Sequence, residues 1–328
     1  GYTLAGEGEA ADVYVVNTCA VTNESERKSR QLIRRCKAQN PEAAVVVTGC
    51  YSQTNRKEAL SLPEADIVTG THDREQIPML LEDFFRKRGI QTGNADSEAL
   101  TPVFATHFEE KTRAVVKIQD GCRMFCSYCV IPYARGEMKS ADSETVLKQI
   151  QEIVQNGYQE VSLTGIHLAS YKDGKGVTLI ELMEKIGEKT TLPRLRLGSL
   201  EPKLLTEEFL SRLSKVPCFC PHFHISLQSG CDSVLKNMNR RYSAEEYYQI
   251  TRLVFRYFPQ AAITTDIIVG FPGETEEDFA ETQAFVEKVG FAHVHVFPYS
   301  PKKGTPAASL PSQLSHAEKH SRVTRLME

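Results

Sequence analysis

The sequence predicts an α/β protein: an N-terminal three-layer domain built around a parallel sheet, followed by an incomplete (β/α)6 barrel of the TIM type. Three observations predict it. Short β-branched runs alternate with amphipathic stretches along most of the chain, the pattern of parallel strands covered by helices. The alternation fades once, over 90–112, where Gly, Pro, Asn, Asp and Ser gather without a period; this reads as a linker between domains 1–89 and 113–328. Six strand–helix units then follow within 113–328, which suits a barrel whose site lies at the C-terminal strand ends. A doubly wound open sheet is the competing architecture, and periodicity alone does not separate the two.

In the first domain, Asp12 to Asn17 reads as a buried strand, Asn23 to Gln39 as a helix, and Ala43 to Thr48 as a second strand. A short helix over Asn55 to Leu60, a strand over Ala65 to Val68 and a helix near Glu75 to Lys87 complete it. Three strands make a thin sheet, and the chain opens almost on its first strand, so an element is expected to be missing in front. In the second domain the expected strands are Ala114–Gln119, Glu160–Thr164, Arg194–Gly198, Phe223–Leu227, Ala261–Val269 and Ala292–Phe297. The expected helices are Ser143–Asn156, Leu179–Glu188, Thr206–Ser214, Ala244–Tyr257 and Glu276–Val289.

Composition narrows the function classes. The 328 residues suffice for two cores, and 41% apolar with 25% charged residues fits neither a disordered chain nor a membrane protein. No apolar run approaches the ~20 residues a spanning helix needs, and no secretory leader opens the sequence, so a cytoplasmic location is expected. A net charge of −3 excludes nucleic-acid binding through overall charge but leaves room for a local basic patch. Nine cysteines, an odd number, argue against a closed disulfide framework and for metal or redox chemistry in a reducing compartment.

The sharpest signal is the run Asp120-Gly-Cys-Arg-Met-Phe-Cys-Ser-Tyr-Cys-Val-Ile-Pro-Tyr-Ala-Arg-Gly136 directly after the first strand of the larger domain. Cys122, Cys126 and Cys129 form a C-x3-C-x2-C loop. Three thiolates on one loop can hold three irons of a [4Fe–4S] cube and leave the fourth open to another ligand. Structural zinc would close its tetrahedron with a fourth Cys or His nearby, and none follows at short spacing. Three packed core cysteines are the remaining reading, at odds with so polar a loop.

This loop, with a Tyr before its third Cys, resembles that of the radical S-adenosylmethionine enzymes. The resemblance implies that the open iron chelates S-adenosylmethionine and that an electron from the cluster splits the sulfonium to give a 5′-deoxyadenosyl radical. Asn17-Thr-Cys-Ala-Val-Thr22 and Thr48-Gly-Cys-Tyr-Ser-Gln53, with LTGIH at 163–167, ISLQSG at 225–230 and TDIIVGFPGET at 265–275, are similar to the methylthiotransferases within that superfamily. LTGIH and GCYSQ look more like the branch acting on N6-threonylcarbamoyladenosine in tRNA than those acting on isopentenyladenosine or a ribosomal-protein aspartate. The resemblance implies two [4Fe–4S] clusters, with Cys19 and Cys50 as ligands of an auxiliary one whose third Cys lies upstream of Gly1. It also implies a C-terminal RNA-binding β-barrel beyond Glu328. The sequence is therefore read as a fragment trimmed at both ends.

Residues at the C-terminal strand ends are the candidates for holding the cofactor: Thr164 and Gly165, Ser199 and Glu201, Gln228, Asp266 within the fifth strand, and Arg135 just past the cysteine loop. Family resemblance favours Glu201 and Gln228 among them. His167, His222, His224, His293 and His295 are read as barrel-wall residues, because hydrogen abstraction by a radical needs no strong base. Cys36, Cys218, Cys220 and Cys231 are assigned to packing. Arg27, Lys28, Arg30, Arg34, Arg35 and Lys37 form one basic patch, and Lys236, Arg240 and Arg241 a smaller one, suited to RNA phosphates or to a solvated face.

The leading reading is methylthiolation of C2 of N6-threonylcarbamoyladenosine at tRNA position 37. The expected partners are the tRNA anticodon stem-loop and a reductant such as flavodoxin or ferredoxin, with neither membrane nor DNA. The alternatives are the same chemistry on isopentenyladenosine or a ribosomal-protein aspartate, a non-catalytic iron–sulfur RNA-binding module, and a zinc-stabilised scaffold.

Overall fold

The computed structural model describes residues 2–6, 8–89, 106 and 112–328. The expected linker over 90–112 therefore lies, but for residues 106 and 112, outside the described residues. The chain divides into two compact units. The first is Gly1–Val103 with Cys129–Gly136 and Ser300–Gly304; the second is Phe104–Tyr128, Glu137–Tyr299 and Thr305–Glu328.

The first unit runs β1 (Val13–Thr18), α1 (Asn23–Gln39), β2 (Ala44–Gly49), α2 (Cys50–Thr54), α3 (Arg56–Leu60), β3 (Ile67–Val68) and α4 (Ile77–Lys87), and takes in α5 (Ile131–Arg135). Its strands pair in parallel in the order β1-β2-β3. Every residue of the central β2 is buried, as a strand covered on both faces must be. Val45 and Val47 pack with Ile33, Cys36 and Tyr51 on one face, whereas Ala44 and Val46 meet Leu81 and Phe85 of α4 on the other. The three layers read from the sequence are thus present. Val130 and Ala134 join the same core as Tyr51, which is why the segment Cys129–Gly136 belongs with this unit. Thr22 starts α1 with a capping box to Ser25.

In the second unit, β4 (Ala114–Asp120) carries a two-residue antiparallel partner, β5 (Lys139–Ser140). There follow α6 (Ser143–Gln155), β6 (Glu160–Gly165), α7 (Leu179–Lys189), β7 (Arg194–Leu197), α8 (Glu207–Leu213), β8 (His222–His224), α9 (Asp232–Asn237), α10 (Ala244–Tyr257), β9 (Ala262–Val269), α11 (Glu276–Val289), β10 (His293–Pro298) and α12 (His316–Met327). The sheets β5-β4-β6-β7 and β10-β9-β8 are bridged at Leu195–Phe219 and Leu200–Ile225. Six parallel strands therefore follow one another in chain order, the order of a (β/α) barrel rather than of a doubly wound sheet, whose order reverses. Val116, Ile118, Val161, Leu163, Leu195, Phe223, Ile263 and Ile267 face the helices in one continuous core. The alternate positions, among them Gln119, Thr164, Arg196, His224, Thr264 and Asp266, point to the other side and are polar.

The fourth barrel strand is shorter than Phe223–Leu227, ending at His224. Beyond it regular pairing is interrupted, the Leu227 amide donating to the Thr265 hydroxyl at 3.0 Å, and a single bridge to β9 returns at Gln228–Ile267, with Gln228 at φ 76°.

One buried carboxylate braces this unit. Asp173 accepts from the amides of Ser143 at 3.1 Å and of Lys175 and Val177, both at 2.9 Å. Burial alone would raise its pKa, but these bonds outweigh it and hold the group well below the usual carboxylate range. A depressed carboxylate stabilises the fold above its unfolded pKa of about 3.9 and loses that contribution as pH falls towards the folded value. Asp173→Asn is accordingly expected to lower the urea midpoint at pH 7 and to flatten the loss of stability below about pH 4. An unchanged acid limb would contradict this.

Candidate active site

Gln119, only 2% exposed, anchors the cysteine loop at its start. Its side-chain amide donates to the carbonyls of Asp120 at 2.8 Å and Gly121 at 2.9 Å, while its Oε1 accepts from the His167 amide at 2.7 Å. The end of β4 and the segment after β6 are thus tied together. Gly121 and Phe125 have positive φ, so the loop doubles back on itself. The turn after α9 grips the loop's far side. The Ser127 hydroxyl donates to the Asn237 carbonyl at 2.7 Å, the Ser127 amide to the Met238 carbonyl at 3.0 Å, and the Asn239 side chain to the Phe125 carbonyl at 2.9 Å.

Arg240 leaves that same turn and enters the site, its side chain only 5% exposed. Nη1 donates to Cys126 Sγ at 3.2 Å, Nη2 to Glu201 Oε2 at 2.9 Å and Nε to the Tyr242 hydroxyl at 2.9 Å. Tyr242 passes the bonding on to the carbonyls of Ser226 and Leu227, each at 2.7 Å. Arg240 is therefore not part of a surface RNA patch with Lys236 and Arg241. Burial and its bonds to Cys126, Glu201 and Tyr242 remove it from solvent, a placement that adjacent arginines in a sequence do not reveal.

The remaining expected residues fall as follows. Thr164 and Gly165 end β6; a Cβ on Gly165 would come within 2.9 Å of Gln119 Cβ, so glycine there serves the approach of β4. Ser199 is exposed, Glu201 is 11% exposed and Gln228 is buried. Asp266 lies on β9 with Oδ2 3.1 Å from His224 Nε2. Cys122 and Cys126 belong to the second unit, Cys129 and Arg135 to the first. The α1 basic run is largely paired: Arg27 with Glu24, Arg30 with Glu58, Arg34 with Glu64 and Lys37 with Asp66.

Cys19 and Cys50 each stand one residue beyond the last register pair of β1 and β2, Thr18 opposite Gly49. Cys50 opens α2, and Gly49 before it takes φ 107°. A Cβ on Gly49 would lie 2.4 Å from the Thr18 carbonyl oxygen. Gly49→Ala is expected to cost more than about 1 kcal/mol and to disturb metal loading at Cys50, read by denaturation and iron content. Wild-type stability in that variant would argue against a fixed β1–β2 rim.

The donor set fits an iron–sulfur cube with a cationic, hydroxyl-bearing ligand beside it. Burial pushes the Cys122 thiol up, so its thiolate form calls for an adjacent cation, which metal ligation supplies. Glu201 Oε1 is buried with no hydrogen-bond partner, an acceptor waiting for a donor such as an ammonium or a ribose hydroxyl. Both ring nitrogens of His167 are likewise unpartnered, and burial pushes its pKa down, leaving the ring neutral. Glu201 and His167 line a cavity of about 520 Å3 that also takes in Met124, Lys203 and Arg241.

Comparisons with known proteins agree with this chemistry. The radical SAM superfamily model matches residues 116–286, and the model of the uncharacterized protein family UPF0004 matches residues 1–70. The threonylcarbamoyladenosine tRNA methylthiotransferase MtaB of Bacillus subtilis is 41% identical over all of this chain, which covers 74% of that protein. Its namesake from Aquifex aeolicus is 39% identical, with 81% covered. A tRNA-2-methylthio-N(6)-dimethylallyladenosine synthase from Thermoanaerobacter is 37% identical, with 72% covered. The fold resembles that of the radical S-adenosylmethionine methyltransferase TsrM of Kitasatospora setae, solved with cobalamin and a [4Fe–4S] cluster bound. The TM-score is 0.67 at 15% identity, covering 92% of this chain and 67% of that one. With a three-cysteine loop after the first barrel strand and relatives this similar along its whole length, the chain belongs to the radical S-adenosylmethionine methylthiotransferase family.

Proposed function

We propose that this chain methylthiolates C2 of N6-threonylcarbamoyladenosine at position 37 of tRNA. The observation that carries the choice of base is the 41% and 39% identity, over the whole chain, to relatives named for that nucleoside, against 37% for one named for the dimethylallyl analogue. The functional division is into an auxiliary domain over 1–89 and a barrel domain over 113–328.

When bound at Cys122, Cys126 and Cys129, a [4Fe–4S] cube supplies the one-electron chemistry that cleaves the sulfonium of S-adenosylmethionine. The chain's own residues bind, orient and shield. Arg240 holds Cys126 as a hydrogen-bonded sulfur and fixes the Glu201 carboxylate. Glu201 offers Oε1 to the cofactor. In this reading Thr164, Gly165, Ser199 and Gln228 are the further candidates for contact with the cofactor. Neutral His167 contributes a lone pair or an N–H without a competing charge. Cys19 and Cys50 hold the auxiliary cluster. A base splayed from a hairpin loop suits a recessed site of this kind. The partners in this reading are the anticodon stem-loop and a flavodoxin- or ferredoxin-type reductant, in the cytoplasm and without DNA. Among the described residues, no helix is long and apolar enough to cross a membrane.

Nucleoside analysis of tRNA from cells lacking the gene tests the substrate. Loss of 2-methylthio-N6-threonylcarbamoyladenosine, with its unthiolated precursor accumulating, is expected. Retention of that nucleoside with loss of the isopentenyl counterpart would move the assignment to the other base.

A further inference from the structure

The geometry points to a mononuclear metal site on the polar face of the barrel strands, made by His224, Asp266 and His295 and suited to a divalent transition-metal ion such as Zn2+. The three residues come from three adjacent parallel strands: His224 from β8, Asp266 from β9 and His295 from β10. The register places Asp266 directly opposite His295, and His224 opposite Thr264, two residues before Asp266. The ligand atoms, two imidazole nitrogens and one carboxylate oxygen, all lie within 4.8 Å of one another. Bonds of 2.0–2.2 Å bring ligand atoms to roughly 3–3.5 Å apart, a closure that small side-chain rotations on a rigid sheet provide.

Two imidazoles and a carboxylate are a borderline-soft set that favours zinc or ferrous iron over calcium or magnesium. The surrounding hydrogen bonds orient the first ligand. Thr264 Oγ1 lies 2.9 Å from His224 Nδ1 and 3.4 Å from His222 Nε2. His224 Nε2 faces Asp266 Oδ2 at 3.1 Å, a separation that either an N–H donated to the carboxylate or a metal ion bound by both groups closes. A second polar group that fixes the tautomer of a ligating histidine is the usual accompaniment of such sites. His295 is exposed, so the remaining coordination positions face solvent, as they do where a metal takes an exchangeable ligand. The site is separate in composition from the cysteine loop and reassigns Asp266, His224 and His295 from cofactor contact and barrel wall to metal ligation.

Zn2+ added to anaerobically prepared protein with its iron–sulfur clusters already loaded tests this, because the cluster cysteines are then engaged. One further equivalent of zinc is expected to bind, with a zinc K-edge absorption spectrum showing only nitrogen and oxygen ligands at about 2.0–2.2 Å. Asp266→Asn and His295→Ala are each expected to weaken that binding at least about 100-fold by chelator competition, with iron content and thermal unfolding unchanged. A sulfur shell in the spectrum, no binding of the added equivalent, or equal affinity in the iron-loaded variants would overturn the proposal.

Discussion

Cys126→Ala is expected to lose about four irons per chain and to take tRNA methylthiolation to background. Cys126 is the most buried of the three loop cysteines and the one whose sulfur accepts from Arg240. Alanine leaves that guanidinium without one acceptor and the cube without a corner. Two thiolates on a short loop no longer close three iron corners, so the effect is on loading rather than on rate alone. Cys220→Ser provides the contrast. Cys220 lies between the bridged segments of β7 and β8, away from the loop, and its replacement is expected to leave iron and activity at wild-type values. Iron and sulfide analysis of the two proteins side by side checks both statements. Full iron in Cys126→Ala would break the assignment of the loop.

Arg240→Gln is expected to cost about 3–5 kcal/mol of stability, the largest single-residue effect outside the apolar core. The figure follows from what the substitution leaves behind. Glu201, at 11% exposure, loses its cation, and the Tyr242 hydroxyl loses a donor in a site where burial already pushes its pKa up. Arg240→Lys keeps the charge but not the planar fork that reaches Cys126, Glu201 and Tyr242 together, so an intermediate loss is expected. Hydrogen bonds to cluster sulfurs raise the reduction potential, so a lower potential in the iron-loaded glutamine variant is a second readout that simple loss of packing would not produce. Denaturation by urea and a redox titration followed by electron paramagnetic resonance measure the two separately. A variant as stable as wild type with an unshifted potential would contradict the structural reading of Arg240.

What could be read from the sequence follows from which interactions are local. The strand–helix alternation and the cysteine spacing are short-range, and, the fourth barrel strand apart, the elements expected from them appear within a residue or two of their expected limits. The parallel, two-face-buried β2 was equally legible, because the run AVVV at 44–47 has no polar position to expose. Three kinds of feature were not. Helix α9 has six residues, too few for a period to show, yet the turn after it supports the cysteine loop. Helix α5 begins at Ile131 with Pro132 in its first turn, a start signal hidden by the cysteine motif before it. Arg240 and Asp173 look like ordinary surface charges in a one-dimensional string. Their burial comes from elements distant in the chain: Arg240 meets Glu201, and Asp173 meets the start of α6.

The histidines on the strands that flank Asp266 show the same limit. Alternation places His222 and His224 on one face of β8, but only the strand order and register bring His295 of β10 to the other side of Asp266. Sequence patterning gave the face, and topology gave the neighbours.

Anaerobic, iron-loaded protein given a one-electron reductant and S-adenosylmethionine, with 5′-deoxyadenosine measured by chromatography, tests the central claim most directly. The account predicts release of 5′-deoxyadenosine by the wild-type chain and none by Cys126→Ala. Fully iron-loaded wild-type protein that leaves S-adenosylmethionine intact, or a variant that cleaves it as well as wild type, would contradict it.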